Sequence, residues 1–259
     1  MNKILLDVGG TFIKCSDGRE IPINSAGTAD EIKASLCEAV NGYDCVRAAV
    51  PGPFDYASGH FLMKHKFASV YDLYFQDITG VKDCRFIHDV NCMLLGEMAY
   101  GNGKPYKRVA MIALGTGLGF SMSIDGEILK NELGSPKVSI FNRPYKDGVL
   151  EDYASKRGVW KLYGDDSSTV KEIAGRAVSG EQRAIAAFET MGAVIAEAIA
   201  PIMKEYGVEC LLLGGQISRS WKLFAPALKA EFDKAGLKLA ISPISDFDNA
   251  TFNGLKALL

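Results

Sequence analysis

The chain has 259 residues, 48% hydrophobic and 23% charged, a length that allows one large domain or two of about 100–150 residues with a substantial core. Its 29 basic and 31 acidic residues leave a net charge of -2, so no general positive field is present to hold nucleic acid or an anionic membrane, and a phosphate-bearing ligand has to be gripped locally. No apolar run approaches the roughly 20 residues of a membrane-spanning helix, and Asp7 comes too early for a signal-peptide core, which points to the cytoplasm. The six cysteines contain no Cys-x-x-Cys pair, as expected of reduced thiols there. His60 and His65, two of the three histidines, are five apart and share neither a strand face nor a helix face, which argues against a histidine-paired metal site.

In chain order, Ile4 to Cys15 reads as an apolar strand, a glycine turn and a second strand, the start of a β-meander. A helix is predicted over Ala29–Val40 from the spacing of Ile32, Leu36 and Ala39 behind the N-cap candidate Thr28, then a strand over Cys45–Val50 stopped by Pro51-Gly52-Pro53. The strand Arg85-Phe86-Ile87 runs into His88-Asp89-Val90-Asn91 and an apolar helix from Met93 to Tyr100. Two further strands, Val109–Leu114 and Phe120–Ile124, flank Gly115-Thr116-Gly117-Leu118-Gly119 and repeat the opening strand, turn, strand pattern without residue-level identity, which suggests two related half-domains. Beyond Val170 the chain is mostly helical, with an amphipathic stretch Gln182–Tyr206 containing Pro201, the strand Cys210–Leu213 stopped by Gly214-Gly215, and a helix Trp221–Lys234. The short loops near 101–106 and 242–248 are the candidate boundaries.

Glycine turns between strands are natural anion cradles, because backbone N–H groups reach a phosphate only where no side chain blocks the approach. Three are present, Gly9-Gly10-Thr11, Gly115-Thr116-Gly117 and Gly214-Gly215, none with Walker or Rossmann spacing. Any one alone is also an ordinary hairpin turn. Asp7, at a strand end beside the first turn, suits magnesium held through water, or a turn cap; Thr11 and Thr116 can donate hydrogen bonds, and Lys14 supplies a point charge.

Together these elements resemble the ROK sugar kinases of the actin, Hsp70 and hexokinase superfamily. Asp7-x-Gly9-Gly10-Thr11-x-x-Lys14 is similar to that family's first phosphate loop, Val50-Pro51-Gly52-Pro53 to its substrate-side turn, and His88-Asp89-Val90-Asn91 to its Asn-Asp-x-Asn element. Leu114 to Gly119 resembles its second phosphate loop and Leu213-Gly214-Gly215 its adenosine loop, all in family order over nearly the whole chain. The resemblance implies an α/β, two-lobed actin/hexokinase-like (ribonuclease H-like) ATPase fold. A smaller lobe of residues 1–106 plus 245–259 and a larger lobe of 107–244 would hold sugar and nucleotide in a closable cleft. It also implies that Asp89 is the base that accepts the proton of the attacking sugar hydroxyl, with ATP as co-substrate and Mg2+ as cofactor. Read alone, Asp89 is first a helix N-cap ahead of Val90 to Tyr100, and both roles can coexist.

The sugar pocket departs from the family pattern. Glu132-Leu133-Gly134-Ser135 keeps the glutamate but has Ser135 where the family has a histidine that binds sugar and zinc, and no cysteine lies between Cys92 and Cys210, so no structural zinc is expected. Glu151 matches the second sugar-binding glutamate; alone, Glu132 and Glu151 are also ordinary exposed charges. His88 stands where the family commonly has Asn; it can bond a sugar hydroxyl, orient Asp89 or be a satisfied core group. The short stretch from Ile124 to Gly134 resembles the zinc-less polyphosphate-glucokinase branch, which makes polyphosphate a second candidate donor.

Two functions follow: a kinase acting on the terminal hydroxyl of a hexose or amino sugar, or a sugar-binding sensor with little turnover, prompted by His88 and Ser135. Repressor relatives carry a helix-turn-helix ahead of this region, and the first loop here begins at residue 7, which leaves no room for one. No nucleic-acid or membrane partner is expected; a homodimer, frequent among relatives, stays open.

Overall fold

The computed structural model describes residues 2–258. The chain divides into two compact units. The first takes the chain up to Ala99, Lys130–Lys137 and the chain from Asn249; the second takes Tyr100–Leu129 and Val138–Asp248.

In the first unit β1 (Lys3–Val8), β2 (Phe12–Cys15) and β3 (Glu20–Pro22) form the meander; α1 (Ala29–Val40), β4 (Cys45–Val50), the hairpin β5 (Phe54–Asp55) and β6 (His60–Phe61), α2 (Phe75–Thr79), β7 (Asp83–His88) and α3 (Asp89–Tyr100) follow. The sheet order is β3-β2-β1-β4-β7, antiparallel across β1, β2 and β3 and parallel across β1, β4 and β7. Central β4 is buried at all six positions, as a parallel strand flanked on both sides requires. The charge of Arg47 within it is met by Asp83 on β7 at 2.9 Å. Thr28 caps α1 in a reciprocal box with Glu31, which fixes the predicted start of that helix. Leu6, Ile32, Leu36, Phe54, Phe61 and Phe67 centre the core.

In the second unit β8 (Arg108–Leu114), β9 (Leu118–Ile124) and β10 (Glu127–Ile128) form another meander, followed by β11 (Pro144–Tyr145), β12 (Gly148–Val149), α4 (Lys156–Tyr163), α5 (Val170–Val178), α6 (Gln182–Glu205), β13 (Cys210–Gly214), α7 (Ala225–Lys234) and β14 (Ala240–Pro243). Its order, β10-β9-β8-β13-β14, repeats that of the first sheet with the same antiparallel and parallel partners. The recurrent strand, turn, strand pattern is therefore one architecture used twice. The last helix, α8 (Ala250–Ala257), belongs to the first unit.

Three expectations need correction. The segment read as one helix from Trp221 is a run of tight turns over Gln216–Leu223 followed by α7, because Pro226 in its first turn lacks the N–H that would carry helical bonding backward. Helix α3 starts at Asp89, four residues before the apolar run, so Asp89 is its first residue and not its N-cap. Finally, α6 is long and apolar enough, by length and composition, to cross a membrane, although half of its most apolar stretch is buried within the structure.

Candidate active site

Parallel strands deliver their last residues to one edge of a sheet, and in open α/β sheets that edge is where ligands bind. In the first unit β1 brings Asp7, in register with Lys14 on β2 and Ala49 on β4. The last residues of β4 and β7, Val50 and His88, are themselves paired, so Pro51-Gly52 and Asp89 leave the sheet side by side. Three sequence-separated motifs thus converge because of strand register.

His88 Nδ1 lies 2.8 Å from Asp89 Oδ1, and the Val90 N–H donates to the same oxygen at 2.7 Å. Burial works against the Asp89 charge, but His88, the Val90 N–H and the charge of Lys66 outweigh it and hold the carboxyl below its usual range. Asp7 goes the other way: burial, then the Asp89 charge, push it up to about 6 against the opposing pull of Lys14 and Thr251. Two carboxylates share one edge, and Asp7 gives up its proton at a higher pH than Asp89.

Around Gly52, a hypothetical Cβ lies 3.4 Å from each of His88 Cδ2, Ser135 Oγ and the Tyr56 hydroxyl. Gly52, His88 and Ser135 are therefore brought together with a residue the sequence did not single out. Tyr56 is 7% exposed; its hydroxyl donates to the Val50 carbonyl at 2.8 Å, and burial followed by the Asp89 charge pushes its ionisation well up. Its N–H donates to the Leu133 carbonyl at 3.0 Å, and the fully buried Asn91 donates from Nδ2 to the Gly134 carbonyl at 3.1 Å. Asn131 Oδ1 accepts the N–H groups of both Leu133 and Ser135 at 3.0 Å. These bonds pin the 131–135 turn in place, with Glu132 exposed at its tip. Asn91 was within sight, inside the motif that carries Asp89; nothing in the spacing separates Tyr56 from other core aromatics.

Of the anion cradles, the first turn is closed by Gly9 N–H to Phe12 carbonyl at 2.9 Å and held from behind by Ser25 N–H on the Gly10 carbonyl at 3.0 Å. A Cβ at Gly9 would sit 2.8 Å from the Phe12 oxygen, so only glycine fits. Thr11 and Lys14 are exposed beside it. In the second unit Gly115 N–H donates to the Gly117 carbonyl at 3.0 Å, Thr116 is exposed, and the Lys156 N–H at the start of α4 donates to the Gly115 carbonyl at 2.8 Å. Gly214 ends β13 and Gly215 turns away from it with φ +79°. Glu151, expected beside the sugar, belongs to this second unit: Oε2 accepts the Leu118 N–H at 2.8 Å and Oε1 pairs with Arg157 at 2.9 Å, at the end of the second glycine turn.

Among the described residues no cluster of three or more His, Cys, Asp or Glu side chains forms a metal centre. Asp7 and Asp89 nevertheless suit a divalent cation, whose charge would favour the ionised form of Asp7 against burial and the Asp89 charge.

Fold and edge chemistry define an α/β protein of the actin/hexokinase-like class. The ROK family profile matches residues 49–253, and the chain belongs to the ROK family. It is 28% identical over 195 residues to the N-acetylgalactosamine kinase of Shewanella sp. strain ANA-3, covering 63% of this chain and 60% of that protein. The chain spans about half to three fifths of the length of the first curated relatives it matches. A Streptomyces griseus ROK glucokinase, solved with glucose and AMPPNP, superposes with a TM-score of 0.78 at 20% identity over 100% of this chain and 99% of that one. The inorganic polyphosphate/ATP-glucomannokinase of Arthrobacter sp. strain KM gives 0.69 at 18% identity over 99% and 98%.

Proposed function

We propose that the protein is a sugar kinase that transfers a phosphoryl group from ATP to the terminal hydroxyl of a hexose or amino sugar. The observation that carries this reading is the meeting, at one sheet edge, of an ionised Asp89 with Gly52, His88 and Ser135, an acceptor base beside donors and acceptors spaced for a polyol. Asp89 takes the proton of the attacking hydroxyl as its oxygen bonds to phosphorus and the bridging bond of the donor breaks. Held ionised, Asp89 is ready to accept that proton at neutral pH.

Pro51 and Gly52 shape the floor, and His88, Ser135 and Glu132 bind sugar hydroxyls. Gly9, Gly10, Thr11, Lys14, Gly115, Thr116, Gly117, Gly214 and Gly215 are the phosphate- and nucleotide-binding residues of this reading. Asp7 would hold Mg2+, which would supply charge neutralisation to the phosphates. The 131–135 turn that carries Glu132 and Ser135 is fastened by Tyr56, Asn91 and Asn131.

A coupled assay over hexoses and N-acetylhexosamines, with ATP and then polyphosphate, tests the reading. Turnover that depends on Asp89 is expected. Thermal stabilisation by a sugar without turnover with either donor would overturn it in favour of a sensor, the reading that His88 and Ser135 favour; turnover with polyphosphate alone would replace the donor and keep the reaction.

A further inference from the structure

The second glycine turn is buttressed by a carboxylate. Glu151 Oε2 accepts the Leu118 N–H at 2.8 Å, and Oε1 faces the Arg157 guanidinium at 2.9 Å. The same Oε2 lies 2.8 Å from the place a Cβ would take at Gly117, whereas a Cβ at Gly115 meets nothing within 4 Å. Of these two glycines, Gly117 is therefore the one that a neighbouring side chain requires: the carboxylate rests on its bare Cα and reaches the next N–H along the chain.

The acid is itself fixed from behind. The hydroxyl of the fully buried Ser155 donates to the Glu151 carbonyl at 2.7 Å. Arg157 Nε pairs with Asp152 Oδ1 at 2.8 Å, and Asp152 Oδ2 accepts the Val149 N–H at 2.9 Å. The Lys156 N–H, on the Gly115 carbonyl at 2.8 Å, ties the start of α4 to the other end of the turn. Residues 151–157 thus grip the turn at both ends, one through a backbone bond and the other through a charged side chain. The Glu151 side chain is only 20% exposed, so water screens its charge poorly, and a bare carboxylate there would repel the anion that the turn is proposed to take. Arg157 meets that charge at contact distance.

We propose that Glu151 is a positioning residue of the donor site, which fixes the 117–118 end of the turn before the phosphates arrive, and that Arg157 is the counter-charge that lets an acid serve beside a polyanion. This rests on the kinase reading and departs from the sugar contact that the family resemblance implies for Glu151. A carboxylate whose two oxygens are engaged by a backbone N–H and a guanidinium acts by holding geometry. Turn N–H groups fixed in advance bind phosphate without the entropy loss of ordering them on arrival.

Calorimetric titration of ATP with Mg2+ and, separately, of glucose and N-acetylgalactosamine tests this, beside the KM of donor and sugar wherever a sugar turns over. The proteins compared are the wild type, Glu151→Ala, Glu151→Gln, Gly117→Ala, Arg157→Gln and the double variant Glu151→Gln/Arg157→Gln. Glu151→Ala removes the carboxylate and Gly117→Ala displaces it; each should weaken ATP about tenfold or more and leave sugar affinity within about twofold. Glu151→Gln keeps an oxygen for the Leu118 N–H and should regain most of that loss. Arg157→Gln leaves the acid uncompensated and should weaken ATP about tenfold, and the double variant should bind ATP better than Arg157→Gln does. The glutamine variants carry the test should an alanine variant fail to fold. A loss for sugar as large as that for ATP, or for sugar alone, returns Glu151 to the sugar and overturns the inference while the kinase stands. Lower thermal stability with unchanged ATP binding reduces Glu151 to a cap on the Leu118 N–H and overturns it equally. A double variant no better than Arg157→Gln overturns the counter-charge. A wild type that binds ATP in this way yet transfers nothing sinks the kinase reading and keeps the positioning role; one that binds no ATP overturns the inference outright.

Discussion

The two units share one strand order and differ in what their strand ends carry. In the first, the three parallel strands finish on Asp7, on Pro51-Gly52 after β4 and on His88-Asp89. In the second, the corresponding strands finish on Leu114-Gly115, on Gly214-Gly215 and on Pro243. Of these strand-end residues the carboxylates, Asp7 and Asp89, belong to the first edge. The nearest carboxylate to the second glycine turn, Glu151, is already taken up by the Leu118 N–H and Arg157. A bare glycine edge can accept a polyanion, whereas an edge with two carboxylates first needs a proton, a metal ion or a lysine. Duplicate scaffolds thus reach opposite electrostatics through a few terminal residues.

The harshest test of that contrast is Asp89→Asn, which keeps the shape of the first edge and removes its base. It should lower kcat by about 10²–10⁴-fold, the usual contribution of a positioned general base, with sugar affinity measured by calorimetry changed only a few-fold. The two hairpin turns offer the next break. Gly9→Ala drives a Cβ to within 2.8 Å of the Phe12 carbonyl oxygen, whereas Gly115→Ala meets nothing within 4 Å and needs no left-handed backbone. The first should cost about 1–3 kcal/mol in denaturant unfolding, in the range of strained backbone sites. The second should unfold like the wild type while the KM for the donor rises several-fold. Equal stability losses in both would mean that the turns are equivalent after all.

What the sequence made legible was local. The boundaries of α1 follow from Thr28 and Glu31, that of β4 from an unbroken apolar run before proline, and the glycine turns announced both meanders. The assignment of Lys130–Lys137 to the first unit was not legible, because it is made by bonds from Tyr56 and Asn91, tens of residues away, to Leu133 and Gly134. Tyr56 escaped for the same reason: it sits in no spaced motif, and its surroundings are set by the register of strands. The start of α7 could have been read from Pro226, had the proline been weighed above the apolar pattern around it.

The opposed carboxylates of the first edge give a pH test of smaller size. Asp7, raised to about 6, holds in the folded chain a proton that the unfolded chain releases near pH 4, so its contribution to stability is complete below pH 4 and lost as pH rises to about 6. Asp89, held low, contributes in the opposite sense: its share is present above pH 4 and lost on further acidification. Asp7→Asn should therefore raise the Tm at pH 7.5, corresponding to up to about 3 kcal/mol from two pKa units, and flatten the fall in stability between pH 4 and 6. Activity should drop in the same variant, and Mg2+ should stabilise the wild type more than it stabilises Asp7→Asn.

The smallest expected effect sharpens the comparison most, since it touches a residue the second unit does not need. Tyr56→Phe keeps the ring, and with it the packing against Phe54 at 5.2 Å and His88 at 5.9 Å. It leaves the Val50 carbonyl at the end of β4 without the hydroxyl that donates to it at 2.8 Å. An unpaired buried carbonyl costs about 1–3 kcal/mol, so the midpoint of denaturation should fall by a corresponding amount without a change of slope. Because the same hydroxyl stands by Ser135 and Gly52, the KM for sugar should rise several-fold while kcat stays within about twofold, as expected when ground-state and transition-state binding are lost together. A fall in kcat at unchanged KM would instead make the Tyr56 hydroxyl an electrostatic partner of Asp89.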